Sequence, residues 1–300
     1  RYVLPEFGST PLQTVQGIKI QKLIKRLINS GKTGQASHLF VLLRLVFNAA
    51  IKMEDLAVNP VAGLEKPRTD RHEMSILTPA DWQIVRNHLI ESGSWALLPL
   101  TVLITTGLRR SELAGLKWSD LNESQGLLHI QRSYHVLKGG IGVVRPPKTN
   151  RSRRAVSLDP ETLAALLEHK YDRMRIAKLA DTEIGLDNPM FARSDGSPWR
   201  PDTYSRLWSR MMKVLQLDLS ATPRLHDLRH TSASLLLAAG VDTKLISTRL
   251  GHSSVAFTMD TYAHLLPEAN NQAAVKLARI LSGNPESFNC TIEIKSGAAG

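Results

Sequence analysis

The pentapeptide HDLRH, residues 226–230, places two histidines, an aspartate and an arginine directly before the apolar stretch TSASLLLAAG. Three explanations compete for such a cluster: a helix cap, a metal site or a phosphate-binding site. Asp227 suits the positive end of a helix, but capping requires neither an arginine nor two histidines. His226 and His230 have the spacing of zinc ligands, yet no glutamate follows His226 and no cysteine pair lies nearby. A metal-dependent hydrolase built on these two histidines therefore stays open as an alternative.

A second polar cluster favours the phosphate explanation. In TTGLRRSELAGLKW (105–118), Arg109 follows Gly107 at a predicted helix start and Glu112 comes three residues later. Backbone N–H groups and guanidinium donors point the same way at a helix N-terminus, which suits a phosphate group. We expect Glu112 to orient Arg109 or His226 by a charge-assisted hydrogen bond.

These clusters resemble the motifs of the tyrosine recombinase family, also called the phage integrases. The resemblance extends from about residue 10 to 267 and implies a mainly helical α+β protein. Its fold would be a helical core-binding domain followed by a catalytic domain with a small antiparallel β-sheet. The matching blocks are FNAAIKMEDLAVNPV, TTGLRRSEL, PPKTNRSRRAVSL, HDLRHTSASLLLAAGV and LGHSSVAFTMDTYAHL.

The resemblance also implies a role for each catalytic residue. Tyr262 would attack a DNA phosphorus, which yields a 3′-phosphotyrosine and a free 5′-hydroxyl without ATP. Two arginines would hold the non-bridging oxygens and Lys148 would protonate the leaving oxygen, so no metal and no cofactor are expected. His226 would help to remove the tyrosine proton, His252 would bond a phosphate oxygen, and His230 would support the site. The implied catalytic set is Arg109, Lys148, His226, Arg229, His252 and Tyr262.

The elements that position this set fall into two predicted domains. Residues 1–72 carry 11 basic and 5 acidic side chains, and apolar residues in 18–30 recur along one helical stripe. Off that stripe lie Lys22, Lys25 and Arg26, which form either a solvated face or a face that contacts DNA phosphates. We predict a helical core-type DNA-binding domain over 1–66, a linker over 67–75, a catalytic domain over 76–282 and a tail over 283–300.

Turn and strand signals organise the catalytic domain. Thr78, Pro79 and Asp81 predict a capped helix start. Strand-like alternation over 127–137, 143–149 and 153–158 predicts a three-strand meander, with Lys148 before the third strand. The neighbouring arginines Arg151, Arg153 and Arg154 are predicted to contact the DNA backbone. Further helices are predicted near 36–52, 94–106, 109–118, 160–178, 202–215, 226–239, 242–250, 254–265 and 268–282, with one short strand at 289–296.

Composition narrows the class of protein. The 300 residues carry a net charge of +11, which favours a polyanionic partner such as nucleic acid. The single cysteine, Cys290, excludes an internal disulfide and fits a reducing cytoplasm. The longest apolar run, 95–108, is too short to span a bilayer, and no signal-like leader opens the chain. We therefore expect a cytoplasmic, nucleoid-associated protein that does not bind membranes.

The sequence thus predicts a site-specific DNA recombinase that integrates or excises a mobile element. Its partners would be double-stranded DNA, other copies of the chain in a tetrameric synapse, and DNA-bending accessory proteins. Residues after 266 are expected to bind a neighbouring protomer, and an N-terminal arm-binding domain, which many family members carry, is not included. Two further alternatives are a catalytically silent DNA-binding protein and an enzyme like the type IB topoisomerases.

Overall fold

The computed structural model of the chain divides into two compact units, Arg1–Glu73 and Met74–Gly300. Each unit has its own cluster of buried apolar side chains. Both units are mainly helical, and the strands among the described residues all pair antiparallel, which confirms the predicted α+β class. The residues that the structure describes are 2–68, 74–146, 153–219 and 221–251.

The first unit is built on two long helices that pack against each other. The apolar stripe predicted over 18–30 is buried, with Ile20, Leu23 and Leu27 in the core. A β-carbon at Gly17, the first residue of the α2 helix, would lie 2.5 Å from the carbonyl oxygen of Pro60, so this close contact requires glycine. The helices of the unit are α1 (Val3–Phe7), α2 (Gly17–Asn29) and α3 (Thr33–Lys52).

The α3 helix is long and apolar enough to cross a membrane by length and composition alone. One face of it nevertheless packs Phe40, Leu43 and Phe47 into the core of the first unit. Core helices of soluble proteins satisfy the same length and composition criterion. We therefore interpret α3 as the central core helix of this unit.

The second unit places its helices around a core that contains the buried Trp118, Tyr204 and Trp208. The start predicted at Thr78 is confirmed, since Thr78 Oγ1 accepts from the Asp81 backbone N–H at 3.1 Å. The α5 and α9 helices pack together, and α10 packs against α9. The helices are α4 (Pro79–Glu91), α5 (Leu97–Thr106), α6 (Arg110–Leu113), α7 (Pro160–Leu179), α8 (Pro201–Leu215), α9 (Asp227–Ala238) and α10 (Thr243–Leu250).

The strands differ from the predicted three-strand meander. The segment 127–137 forms two strands rather than one, and they belong to two different sheets with the orders β1-β2-β5 and β3-β4. The break falls at Arg132, whose guanidinium pairs at 2.5 Å with the buried carboxylate of Asp120. The strands are β1 (Leu121–Asn122), β2 (Leu127–Ile130), β3 (Ser133–Val136), β4 (Gly142–Arg145) and β5 (Arg154–Ser157).

The helix predicted over 109–118 is also shorter than expected, because α6 ends at Leu113. The chain passes so close to the β3 strand here that a β-carbon at Gly115 would lie 3.1 Å from the Tyr134 backbone nitrogen. Trp118 then begins a single 3-10 turn. Contact with the sheet, which local sequence does not reveal, therefore ends the helix early. The elements predicted at 254–265, 268–282 and 289–296 lie outside the described residues.

Candidate active site

Arg109 stands where the chain leaves α5 and enters α6. Gly107 ends α5 in the left-handed conformation, at φ 67°, and turns the chain so that Arg109 becomes the N-cap of α6. Glu112 holds this corner: its carboxylate accepts from the Arg109 backbone N–H at 2.9 Å and from Arg109 Nη1 at 2.8 Å. The Arg109 side chain remains 39% exposed, so its guanidinium can still reach a ligand.

Glu112 itself is buried against a second arginine. Arg154 donates from Nη2 to Glu112 Oε2 at 2.9 Å, and its side chain is only 3% exposed. Burial alone would raise the pKa of Glu112, but the hydrogen bond and charge of Arg154, followed by those of Arg109, lower it to about 2. The carboxylate is therefore ionised at neutral pH and fixes two guanidinium groups.

Arg229 lies on the buried side of α9. It donates from Nη1 to the Gly107 carbonyl and from Nη2 to the Leu250 carbonyl, both at 2.6 Å. Arg109 donates from Nη2 to the next carbonyl, that of Gly251, at 3.3 Å. The two predicted catalytic arginines are therefore brought together by the α5–α6 corner and the end of α10, although they lie 120 positions apart in the sequence.

His226 is the N-cap of α9 and stacks edge-on against His230, with ring centroids 5.2 Å apart. Part of the His226 ring reaches solvent. Its surroundings still desolvate it, and this, together with the neighbouring His230 and Arg229, lowers its pKa to about 4. The imidazole is therefore neutral at pH 7 and can accept a proton.

Asp227 explains the remaining member of the pentapeptide. Its carboxylate is fully buried, accepts from the Arg224 backbone N–H at 2.7 Å and pairs with the Arg224 side chain. The capping explanation thus accounts for Asp227 alone. Within the part of the chain that the structure describes, no group of three or more His, Cys, Asp or Glu residues is arranged to hold a metal ion.

A cavity of about 700 Å³ opens beside these residues. Arg109 and His226 both line it, together with Arg110 and Arg224. No acidic side chain contributes to the described part of this lining. Three arginines around one cavity favour an anionic ligand.

Comparison with known proteins places this arrangement in a family. Residues 82–269, more than half of the chain, match the family model described as the phage integrase family. The chain belongs to the phage integrase family. This confirms the resemblance seen in the sequence and the predicted enzyme class, a tyrosine-type site-specific recombinase.

Curated relatives of the chain carry names that agree with this family. It is 28% identical over 283 residues to the ICEBs1 integrase of Bacillus subtilis (strain 168), a match that covers 94% of the chain and 75% of the relative. It is also 28% identical over 289 residues to a "Tyrosine recombinase XerC-like" protein of Caldanaerobacter subterraneus subsp. tengcongensis, covering 91% and 73% of the two chains.

Solved structures of phage-integrase-family proteins share the fold. A variant of the Tn1549 transposon integrase, in complex with transposon right end DNA, has a TM-score of 0.74 at 24% identity and covers 90% of this chain and 88% of that one. A lambda integrase tetramer bound to a Holliday junction has a TM-score of 0.59 at 23% identity, covering 84% and 68%.

The structure places part of the predicted site of this integrase-family chain. It brings together Arg109, Glu112, Arg229, His226 and His230. On the first unit, Lys22, Lys25 and Arg26 are exposed along α2, and Arg26 pairs with Glu6. Four predicted residues lie outside the described ones: Lys148, Arg151, His252 and Tyr262.

Two neighbouring arginines on β5 have different surroundings. Arg153 is exposed, as expected of a residue that contacts the DNA backbone. For Arg154 the prediction of a DNA contact needs correction, because its buried guanidinium donates to Glu112 and to the Arg249 carbonyl. The alternation of a strand carries the signal: Arg154 lies on the same inward face as the buried Val156.

Proposed function

We propose that the chain cuts and rejoins double-stranded DNA at specific sites, to integrate or excise a mobile element, through a phosphotyrosine on Tyr262. The observation that carries the proposal is the convergence of Arg109 and Arg229 on the α5–α6 corner and the end of α10, beside a cavity lined by arginines. Paired guanidinium groups suit the two non-bridging oxygens of a phosphodiester and the charge that grows on them in the transition state.

Residue roles follow from the chemistry of the transfer. The Tyr262 hydroxyl loses its proton, with help from neutral His226, and its oxygen bonds to phosphorus. The bond from phosphorus to the 5′ oxygen breaks, and Lys148 supplies the proton that makes this oxygen a hydroxyl. His252 donates to a non-bridging oxygen. Attack by a 5′-hydroxyl on the phosphotyrosine reverses these steps and reseals a strand, so no cofactor is needed.

The partners of the chain are inferred from this reaction and from its structural relatives. Exchange of four strands requires two duplexes and about four protomers, and the lambda integrase tetramer on a Holliday junction illustrates such an assembly. The basic face of α2, with Lys22, Lys25 and Arg26, would contact DNA phosphates, as would Arg151 and Arg153. We assign DNA binding to residues 1–66, catalysis to 76–282 and contact between protomers to the tail, in a protein of the cytoplasm that associates with the nucleoid and with DNA-bending proteins.

Covalent trapping in EDTA tests the proposal. Duplexes made from the DNA that flanks the encoding gene carry a nick just 3′ of each candidate cleavage position, so that the short 5′-hydroxyl product diffuses away and rejoining stops. A label on the 5′ end of the cut strand should appear in a protein adduct on a denaturing gel, whereas a label on its 3′ end should not. The Tyr262→Phe variant should form no adduct.

A matched control removes a hydroxyl elsewhere. Tyr171 lies on α7 with 66% of its surface exposed, so Tyr171→Phe should form as much adduct as the wild type. Binding in a native gel without any adduct would support a catalytically silent DNA-binding protein instead. Adduct that persists in Tyr262→Phe would refute the assignment of the nucleophile.

A further inference from the structure

We propose that Arg154 is a positioning residue of the recombination reaction, which sets the place of the Arg109 guanidinium from behind. The inference rests on the proposed function, since it concerns the phosphate that Arg109 would hold. Arg154 acts through two groups that touch Arg109, the Glu112 carboxylate and the carboxyl end of α10. The sequence gave it a different expected role, as a contact to the DNA backbone.

The carboxyl end of α10 binds three arginines through three consecutive carbonyl groups. The Arg249 carbonyl accepts from Arg154 Nε at 2.6 Å, and the next two carbonyls accept from the catalytic arginines. The last carbonyls of a helix lack partners within the helix and carry its partial negative charge, so they attract guanidinium groups. The bonding pairs are Arg154 with Arg249, Arg229 with Leu250, and Arg109 with Gly251.

Arg154 also determines where the other partner of Arg109 lies. Glu112 Oε1 accepts from Arg109 Nη1 at 2.8 Å, while Arg154 holds the same carboxylate from Nη2 at 2.9 Å and from Nη1 at 3.3 Å. Both supports of the Arg109 side chain are therefore tied to a single buried guanidinium. A lysine at this position has one nitrogen and cannot reproduce a fork that spans Glu112 and the Arg249 carbonyl.

Packing around Gly251 shows how closely this arrangement is fitted. Gly251 ends α10 at φ 68°, and a β-carbon there would lie 2.9 Å from Arg154 Nη1 and 3.2 Å from its Cδ. The backbone then leads directly into His252, the next predicted catalytic residue in the sequence. Arg154 thus lies where the arginine cluster meets the start of the segment that carries His252 and Tyr262.

A charge-deleted substrate separates positioning from general stability. Single-turnover cleavage would be measured at saturating DNA for the wild type, Arg109→Ala and Arg154→Lys, on trapping duplexes with either an ordinary or a methylphosphonate scissile group. The methylphosphonate lacks one anionic oxygen, so it has less need of Arg109. We expect Arg154→Lys to cleave the ordinary phosphate about 10- to 100-fold more slowly, as small misplacements of catalytic groups do.

On the methylphosphonate, the deficits of Arg154→Lys and Arg109→Ala should both shrink several-fold or more relative to the wild type. Equal deficits on the two substrates, or no deficit at all, would overturn the inference. Loss of DNA affinity at an unchanged saturating rate would instead return Arg154 to a DNA contact. Arg175→Lys, on the exposed face of α7, should match the wild type on both substrates.

A second variant covers the case in which Arg154→Lys does not fold. Gly251→Ala keeps every charge but pushes on Arg154, whereas Gly93→Ala introduces the same β-carbon at φ 57° with no atom within 4 Å. We expect the deficit that depends on the substrate in Gly251→Ala and not in Gly93→Ala. The same deficit in both, or in neither, would count against the inference.

Binding of inorganic phosphate keeps the test independent of cleavage. Phosphate should raise the unfolding temperature of the wild type, less so that of Arg154→Lys, and least that of Arg109→Ala. A wild type that binds phosphate but forms no adduct would refute the proposed function, and the phosphate series would still decide the inference. Equal stabilisation of the wild type and Arg154→Lys would reject it.

Discussion

Glu112 and Arg154 form a buried ion pair, with Arg154 Nη2 2.9 Å from Glu112 Oε2 and side-chain exposures of 3% for Arg154 and 9% for Glu112. The carboxylate also accepts two hydrogen bonds from Arg109. One acidic group therefore offsets two guanidinium groups at a site that we propose to bind a phosphodiester. This ratio leaves the site positively charged and yet keeps its arginines in fixed positions.

Neutralising this carboxylate should destabilise the second unit strongly. Glu112→Gln leaves the buried Arg154 guanidinium without a counter-charge, and breaking a buried pair in this way costs about 3–5 kcal/mol. Urea denaturation would measure the free energy of unfolding. Asp172→Asn, which removes an exposed pair with Arg175 on α7, should cost less than about 1 kcal/mol. Similar losses in the two variants would contradict the importance of the buried pair.

Acid should remove the same contribution. The pKa of Glu112 is lowered to about 2, first against the effect of burial and then by Arg154 and Arg109, so the ionised form stabilises the fold at every pH above its unfolded value near 4.5. This stabilisation is lost as pH falls from about 4.5 through 2. We expect the wild type to lose more stability than Glu112→Gln over that interval, measured by urea denaturation at each pH. Parallel curves would show that Glu112 does not titrate there.

Much of the helical frame and most of the chemistry were predictable from local signals. Thr78 with Asp81, and Asp159 before Pro160, are caps that depend on neighbouring residues alone, and the structure shows both. The site motifs also lie in short contiguous blocks. These features need no knowledge of distant contacts, so the sequence is sufficient to predict them.

The differences arise where distant segments decide the outcome. The α6 helix ends early because Gly115 passes against β3, and the strand predicted over 127–137 breaks where Arg132 pairs with Asp120. Arg154 was assigned to DNA because basic residues near a hairpin are usually exposed, whereas Glu112, 42 positions away, draws it inward. No local pattern shows such a partner, although the buried Val156 on the same face of β5 gives a hint.

Replacement of the exposed arginine next to Arg154 should weaken DNA binding without changing stability. Arg153 is exposed at the start of β5, so Arg153→Ala removes one phosphate contact. We expect lower affinity on all DNA sequences and a salt dependence, log K against log[salt], that is shallower by about 1. Fluorescence anisotropy at several salt concentrations would measure it, with Arg175→Ala as the control. An unchanged slope would show that Arg153 does not contact a phosphate.

The loop that leads into the HDLRH segment depends on one tryptophan. Trp208 is fully buried on α8 and donates from Nε1 to the Pro223 carbonyl at 2.8 Å. Trp208→Phe leaves a small cavity and an unsatisfied carbonyl, so we expect a loss of about 2–4 kcal/mol in urea denaturation. Trp95→Phe, at a 40% exposed ring stacked on Trp199, should cost less than about 1 kcal/mol. Equal losses would show that the indole hydrogen bond is not the cause.

The low pKa of His226 should extend activity into mild acid. Desolvation, then His230 and Arg229, lower the pKa of His226 to about 4, so the free protein keeps this ring neutral where an ordinary histidine would be protonated. Because the pKa is lowered, the proton-accepting form is present above about pH 4 and is lost as pH falls through that value. Initial cleavage rates at sub-saturating DNA report the free protein, so we expect them to stay nearly level from pH 7 to 5 and not to halve near 6.5. NMR titration of the ring, assigned with His226→Gln, would give the same midpoint. A midpoint near 6.5 in both measurements would refute the assignment of His226 as a neutral base.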